Sequence, residues 1–421
     1  MTVRSGQRDK TPMLLPGSKR VFFHLDCNSF YVSCEVLRDP SLRGKCACVG
    51  DEIILSASYE ARAFGVGVGT PVWEAEDILG KRFIHLDPDF DLYRRVSAQL
   101  MEWLAVRAPV EQFSIDEAFV DVTGLAATVE GYERLALDWQ AQILRQVGVP
   151  VSVGCSNTRL KAKMLAEVHK PLGTCVGLTP AREAAVWADL PVGDIPFIGK
   201  QSQEKLKYIA PTVAVFYAMD PREVRRLLNA PGVALWMELR GYNAWAPRAE
   251  DAVPQSISRT RSFNREMTCD PAFLKERLAI NLERAWEQLC AHKFVCNRIC
   301  AQLRTKGFTR EGLETVLPEP TSSRPALWAA VEEMFWKLRR PGEIYRGTGV
   351  TLSGLSAERP RQLGMEGSAT PAKAARDERL NSAIEDLNRR YGRFTVAWGS
   401  VGAAQGVKQS RELAMAVMEA E

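Results

Sequence analysis

The chain has 421 residues, 46% hydrophobic and 25% charged, with 30 Gly and 23 Pro. That average composition excludes a disordered, collagen-like or coiled-coil protein, and no apolar run approaches the roughly 18 residues of a membrane helix. At about 100–200 residues per domain the length accommodates two to four domains, and a net charge of only +4 leaves any partner to be read from local charge.

Residues 1–20 form a basic arm without the apolar run of a secretory signal, so a soluble, cytoplasmic protein is expected. Val21–Leu25 is an apolar run that reads as a buried strand ending at Asp26. A helix follows over Phe30–Leu37 and is stopped by Asp39-Pro40. Lys45–Gly50 reads as a strand, and Gly65, Gly67, Gly69 and Pro71 mark a small loop-rich subdomain. Val96, Leu100, Trp103 and Leu104 give Tyr93–Val106 a helical period, and Gln112–Val122 brackets a tight turn between β-formers. Helix 131–147, strand 149–155 and helix 157–168 complete an alternating layout.

After Pro180 the pattern changes to short helices, one of them introduced by Ile195-Pro196-Phe197-Ile198-Gly199. Tyr242–Ser256, with two prolines and little periodicity, reads as a linker. A second α/β unit follows. Asp270 caps a helix with Pro271 at its first position and Leu274, Leu278, Leu282, Ala285 and Leu289 on one face. Next come a strand at 294–304, with Val295, Ile299, Ala301 and Leu303 on its apolar face, a helix at 325–338 and a strand near 347–354. Residues 357–375 read as a tether before a last helix bearing Leu380, Ile384, Leu387 and Tyr391 and ending at Gly392.

Three features carry chemistry. Between Gln255 and Arg310 eleven Lys and Arg stand against five Asp and Glu, a local +6 that exceeds the charge of the whole chain and reads as a polyanion footprint or as a solvated charged face. Ser114-Ile115-Asp116-Glu117 sets two adjacent carboxylates at a turn between apolar strands. If the strand ending at Asp26 is a neighbour, three carboxylates converge and their repulsion raises a pKa unless divalent cations neutralise them, for which oxygen-only ligands suit Mg²⁺; the alternative is an exposed Asp-Glu turn. Tyr59 and Arg62 share a helical face, while Arg159, Lys161, Lys163 and Lys170 add positive charge suited to phosphate oxygens. The ten cysteines form no CxxC pair. Cys290, His292, Cys296 and Cys300 invite a zinc reading, but Cys296 and Cys300 lie on one strand, about 13 Å apart, too far to share an ion.

Val21–Glu35 (VFFHLDCNSFYVSCE), Ser56–Gly65 (SASYEARAFG), Ser114–Thr123 (SIDEAFVDVT) and Val153–Gly173 (VGCSNTRLKAKMLAEVHKPLG) resemble, in order and spacing, the Y-family translesion DNA polymerases of the DinB/UmuC type. The resemblance implies an α+β multidomain right-hand polymerase. Its parts would be a palm at 21–49 and 85–180, small fingers at 50–84, a helical thumb at 181–242, a linker at 243–256 and an α/β little finger at 257–356. Residues 357–421 would be a C-terminal tether and helix. It implies a low-fidelity, template-directed DNA polymerase that extends primers opposite damaged templates, with the SOS response and mutagenesis as its setting. Asp26, Asp116 and Glu117 would be catalytic and, with the carbonyl of Cys27, would hold two Mg²⁺. Tyr31 falls on the steric-gate position that rejects ribonucleotides, and Ser56, Tyr59, Arg62 and Lys170 on positions that contact the triphosphate. The partners implied are primer-template DNA and dNTP, with no membrane, the chain acting as a monomer.

The thumb segment Pro196–Leu206 resembles a helix-hairpin-helix, with Phe197 where glycine is usual. In the little finger, alternation sets Arg298, Gln302 and Arg304 on one face, suited to DNA-backbone contacts whose affinity falls with salt. Thr158 and Arg159 replace an asparagine and a lysine of the family pattern, and the short loop Gly50–Ile54 accords with a small, open fingers domain. Arg361–Met365 faintly resembles a sliding-clamp peptide. Two alternatives are a non-catalytic scaffold that binds DNA and clamp, which would be expected to lose the acids, and a nucleotidyl cyclase, which would not explain the segments after Pro180.

Overall fold

The computed structural model describes residues 19–245, 254–263 and 266–357, with single positions between 380 and 396. Most of the basic arm, the greater part of the linker, the tether and the clamp-like Arg361–Met365 lie outside the described residues. Of the last helix, Leu380, Ile384, Leu387 and Tyr391 are helical, and only Ile384 of the four is buried. The chain divides into two compact units, Met1–Arg248 and Ala249–Glu421.

The first unit runs β1 (Phe22–Cys27), α1 (Phe30–Arg38), β2 (Ala47–Gly50), β3 (Ile54–Ala57), α2 (Tyr59–Arg62), α3 (Val72–Leu79), β4 (Ile84–Leu86) and α4 (Phe90–Ala105). It continues with β5 (Val110–Gln112), β6 (Glu117–Asp121), α5 (Val129–Gln146), β7 (Val151–Ser156), α6 (Arg159–Glu167) and β8 (Thr174–Val176). A five-stranded sheet has the order β5-β6-β1-β7-β8, in which β1 is antiparallel to both neighbours. The fully buried β1 therefore lies at the centre, as its nearly continuous apolar sequence requires. The two-residue period of a strand sends Phe23, Leu25 and Cys27 into the main core, where Tyr93 and Leu100 of α4 and Tyr132 and Trp139 of α5 join them. His24 and Asp26 point to the opposite face, which α6 covers.

The contact between α6 and β7 is close because Gly154 lacks a side chain. A Cβ there would lie 2.0 Å from the Ala162 carbonyl oxygen and 2.3 Å from the Ala166 nitrogen. Thr158 caps α6, accepting from the Lys161 N–H, and its hydroxyl donates to the Glu238 carbonyl at 2.9 Å. A smaller sheet, β3-β2-β4, stands beside the main one. Here β2 is shared, with Ala47 and Val49 facing the main core and Cys46 and Cys48 flanking the small one.

Helical segments follow: α7 (Pro180–Trp187), α8 (Lys200–Leu206), α9 (Val213–Ala218) and α10 (Pro221–Leu239), the last broken by a kink at Asn229. Trp187, Leu206, Phe216 and Leu235 build their core, together with Leu160, Met164 and Leu165 of α6. Thus α6 is a beam with one face on the sheet and another among these helices.

The second unit comprises β9 (Ser256–Ser262), α11 (Pro271–Ala291), β10 (Phe294–Thr305), β11 (Arg310–Thr321), α12 (Arg324–Leu338) and β12 (Tyr345–Ala357). Its antiparallel sheet has the order β11-β10-β12-β9. Asp270 caps α11 by accepting from the N–H groups of Ala272 and Phe273. The leucine stripe of α11 packs with Leu327 and Phe335 of α12 on Ile299, Ala301 and Leu303. Three expectations change. Ser256 belongs to β9 rather than to the linker. β11 has no counterpart among the elements expected from the sequence. Cys296, not Val295, joins the core, in the stretch where the β10–β11 register slips between Cys296 and Arg298. All ten cysteines are free, and no group of three potential metal-binding side chains occurs among the described residues. None of the described helices is long and apolar enough to cross a membrane.

The atoms that meet a new Cβ at position 154 belong to the α6 backbone, which cannot rotate away. Gly154→Ala should therefore destabilise the first unit by about 1–3 kcal/mol, read as a lower thermal midpoint. An unchanged midpoint would show that α6 can lift from β7 freely.

Candidate active site

Sheet register builds the acidic site. Across β1 and β6 Asp26 is the partner of Glu117, and the Cys27 N–H donates to the Asp116 carbonyl at 3.0 Å. Asp26 thus meets Asp116 and Glu117, some 90 residues later in sequence, at one strand end. Asp26, the backbone of Cys27 and Asp116 border a cleft of about 240 Å³, which Tyr31, Ser56, Tyr59, Arg62 and Lys170 also line. Tyr31 comes from the first turn of α1. Ser56 closes β3, and Ser58 caps α2 by accepting from the Ala61 N–H, which orients Tyr59 and Arg62. The Arg62 guanidinium stacks 4.8 Å from the Tyr59 ring centre and donates through Nε to the Ala57 carbonyl. Glu117 does not line the cleft. It faces α6.

The three acids have different partners. Lys170 Nζ lies 2.8 Å from Asp26 Oδ2 and 2.6 Å from Glu167 Oε1. Burial raises Asp26 to about 7 despite the opposing effect of Lys170. Burial also raises Asp116, against the hydrogen bond its Oδ1 accepts from Ser114 at 2.8 Å. Burial acts the same way on Glu117, but hydrogen bonds from His24 (3.3 Å) and Lys163 (2.5 Å) outweigh it and bring its pKa to about 2. His24 is itself completely buried, which lowers its pKa to about 4. It is therefore neutral near pH 7 and donates through Nε2, leaving Nδ1 without a partner.

The two carboxylates that border the cleft, Asp26 and Asp116, are hard oxygen donors of the kind a divalent cation accepts, while Glu117 is turned to Lys163 and His24. Burial raises the pKa of both, and a cation in the cleft would offset that cost, so these two residues fit a divalent ion.

Two segments of the chain match the models of the impB/mucB/samB family, residues 25–167, and of that family's C-terminal domain, residues 254–365. DNA polymerase IV of Methanoculleus marisnigri is 32% identical over 82% of this chain and 98% of its own length. DNA polymerase IV 1 of Bacillus subtilis is 28% identical over 92% of this chain and 94% of its own. Among solved structures, a Y-family DNA polymerase chimera of Dbh and Dpo4 superposes with a TM-score of 0.69 at 21% identity, covering 80% of this chain and all of the chimera. The chain belongs to the Y-family DNA polymerases of the DinB type. It is a DNA-directed DNA polymerase with the α+β right-hand fold.

Other basic residues of this Y-family polymerase lie elsewhere than the sequence suggests. Arg159 is buried against Glu111 (3.1 Å) and the Phe22 ring, and Lys161 is buried on Glu183 (2.7 Å). Both brace α6 within the fold instead of facing the cleft; of the three basic residues on α6, Lys163 alone reaches an acid of the site. Arg298 and Arg304 are exposed on the open face of the second unit's sheet, but Gln302 is buried. Its cross-strand partners are Gly312 and Gly349, whose missing side chains let it sink between the strands, and its Oε1 accepts from Arg310 Nε.

His24 was not singled out in the sequence, although its position two residues before Asp26 on a strand puts it on the same face. Asn28 gave no such signal. Its Oδ1 accepts from the Leu172 N–H at 2.8 Å and so holds the loop that carries Lys170.

In the hairpin before α8, Phe197 adopts φ +72°, the left-handed region where glycine is at ease. Its ring meets Phe113 at 6.0 Å and Trp245 at 5.2 Å, both edge to face. The ring contacts thus accompany a conformation that costs a side chain about 1–2 kcal/mol. Phe197→Ala keeps that cost and loses the contacts, whereas Phe197→Gly loses both. The glycine variant should be the more stable of the two by about 1 kcal/mol. Equal thermal midpoints would argue that no strain is present.

Proposed function

We propose that this polymerase performs low-fidelity translesion synthesis, adding dNTPs to a primer 3′-OH opposite damaged templates. The observation that carries this reading is the meeting of Asp26 and Asp116 with Tyr31, Tyr59, Arg62 and Lys170 around one cleft, with Glu117 fixed beside Asp26.

Asp26, Asp116, Glu117 and the Cys27 carbonyl would hold two Mg²⁺, which when bound supply charge neutralisation of the triphosphate and activation of the primer hydroxyl. Arg62 offers a planar fork to phosphate oxygens, and Lys170 offers a point charge. Lys170 is the present partner of Asp26, so an incoming triphosphate would compete with that carboxylate for its ammonium group. Lys163 and His24 fix the Glu117 carboxylate in its ionised form. Positioning and charge supply most of the acceleration in such a reaction.

Tyr31 is proposed as the steric gate, its ring meeting a ribose 2′-OH. The small β3-β2-β4 subdomain with its tight Gly50–Ile54 turn would close little over the nascent pair, in keeping with tolerance of damaged templates. Arg298 and Arg304 would contact the DNA backbone from a sheet face that also carries Ser258, Thr260, Gly347 and Gly349, a surface suited to phosphates rather than bases.

Asp116→Asn combined with Glu117→Gln should abolish primer extension while primer-template affinity stays within about threefold, since the Lys and Arg residues that neutralise phosphates are all kept. Extension at the wild-type rate by this folded variant would remove the acids from the mechanism. Tyr31→Ala should raise ribonucleotide insertion relative to deoxyribonucleotide insertion by about tenfold or more, the size of a lost steric clash of at least ~1.4 kcal/mol. An unchanged ratio in single-nucleotide insertion assays would reject the gate.

A further inference from the structure

We infer that Tyr93, assisted by Phe90, is a positioning residue for sugar selection. It acts by holding the Tyr31 ring in place. The inference rests on the reading of Tyr31 as the gate and extends it to α4, whose Phe90 and Tyr93 do not line the cleft.

A gate that works by collision selects only if it cannot move aside. Tyr31 stacks face to face on Tyr93, with ring centres 4.4 Å apart and planes 11° from parallel. Phe90 meets Tyr31 edge-on at 6.0 Å and Tyr93 edge-on at 5.9 Å, and Phe30 borders Tyr31 at 5.8 Å. Three rings therefore limit the directions in which the Tyr31 ring can yield.

The platform beneath it is itself anchored. Tyr93 is wholly buried, and its hydroxyl donates to Glu35 Oε1 at 2.7 Å. Glu35 lies one helical turn beyond Tyr31 on the same side of α1 and is buried as well. Arg38 pairs with the other oxygen of Glu35 and with Asp89, the residue that caps α4. Thus α1, which carries the gate, and α4, which carries its platform, are tied by Tyr93 to Glu35 and by Arg38 to Asp89. A buried tyrosine–carboxylate bond fixes the azimuth of the platform ring, which simple apolar packing would not.

The test compares full-length wild type, Tyr31→Ala, Tyr93→Leu, Tyr93→Phe and Phe90→Leu. The readout is the ratio of kcat/KM for a matched dNTP to that for the corresponding rNTP. A general structural defect would lower both values together and leave the ratio alone. Tyr93→Leu should lower the ratio roughly three- to tenfold, the factor that loss of an aromatic stack allows. Tyr93→Phe, which keeps the stack, should stay near wild type. Phe90 is 45% exposed, so Phe90→Leu should fold and move the ratio in the same direction by a smaller factor. A wild-type ratio in folded Tyr93→Leu, while Tyr31→Ala loses discrimination, overturns the inference and leaves the gate intact. A wild-type ratio in Tyr31→Ala overturns the gate itself. If Tyr93→Leu does not fold, Phe90→Leu decides, and an unchanged ratio in that variant refutes the positioning role.

Discussion

The antiparallel register that pairs Asp26 with Glu117 is the constraint on which the rest of this molecule depends. A shift of one residue would turn Asp26 into the apolar core and send Leu25 toward α6. The register is secured from both sides, because β1 is also paired along its whole length with β7. Phe23, Leu25 and Cys27 add an apolar face that only one alignment buries. Burial of hydrocarbon in the sheet thereby determines where a set of charges meets, and the chemistry inherits its geometry from packing.

Having collected the acids, the fold has to offset their repulsion and desolvation. It does so with lysines on elements of different kinds. Lys163 sits on α6, a helix clamped to β7 at Gly154, and holds Glu117 ionised together with a neutral, buried His24. Lys170 sits on a loop, held through Asn28, and pairs with Asp26 at the border of the cleft. The rigid lysine serves the carboxylate that faces away from the cleft. The lysine on the loop serves the carboxylate that borders it, where a substrate phosphate could compete. Arg159 and Lys161 serve a different end, replacing apolar contacts with buried ion pairs that join α6 to β5 and α7. Their position on the same helix as Lys163 shows how little helix composition says about which charge faces a ligand.

Much of this was legible in the sequence, and for identifiable reasons. The apolar run ending at Asp26, the Ser114–Glu117 turn and the Asp270–Pro271 cap are local signals, and each lies where local physics puts it. The cleft residues were legible only through four motifs in the right order, since nothing local says that Ser56 and Lys170 border one cavity. The failures are equally specific. In β11 the sequence carries Pro318 and Pro320, which argue against a central strand; the strand stands at the sheet edge, where proline is tolerated. In β9 the sequence SISRTRS has almost no apolar content and owes its strand to pairing with β12. The alternation of β10 puts Gln302 with Arg298 and Arg304, yet it is buried, its cross-strand partners being Gly312 and Gly349. Those neighbours are distant in sequence, and no local pattern announces them.

The most direct test of the central claim is anomalous diffraction from crystals of the full chain grown with primer-template, a non-reactive dNTP analogue and Mn²⁺. The account predicts manganese peaks liganded by Asp26 and Asp116 together, with Glu117 completing the set and the nucleotide sugar against Tyr31. Peaks remote from these acids, or a nucleotide bound outside the cleft they border, would contradict it.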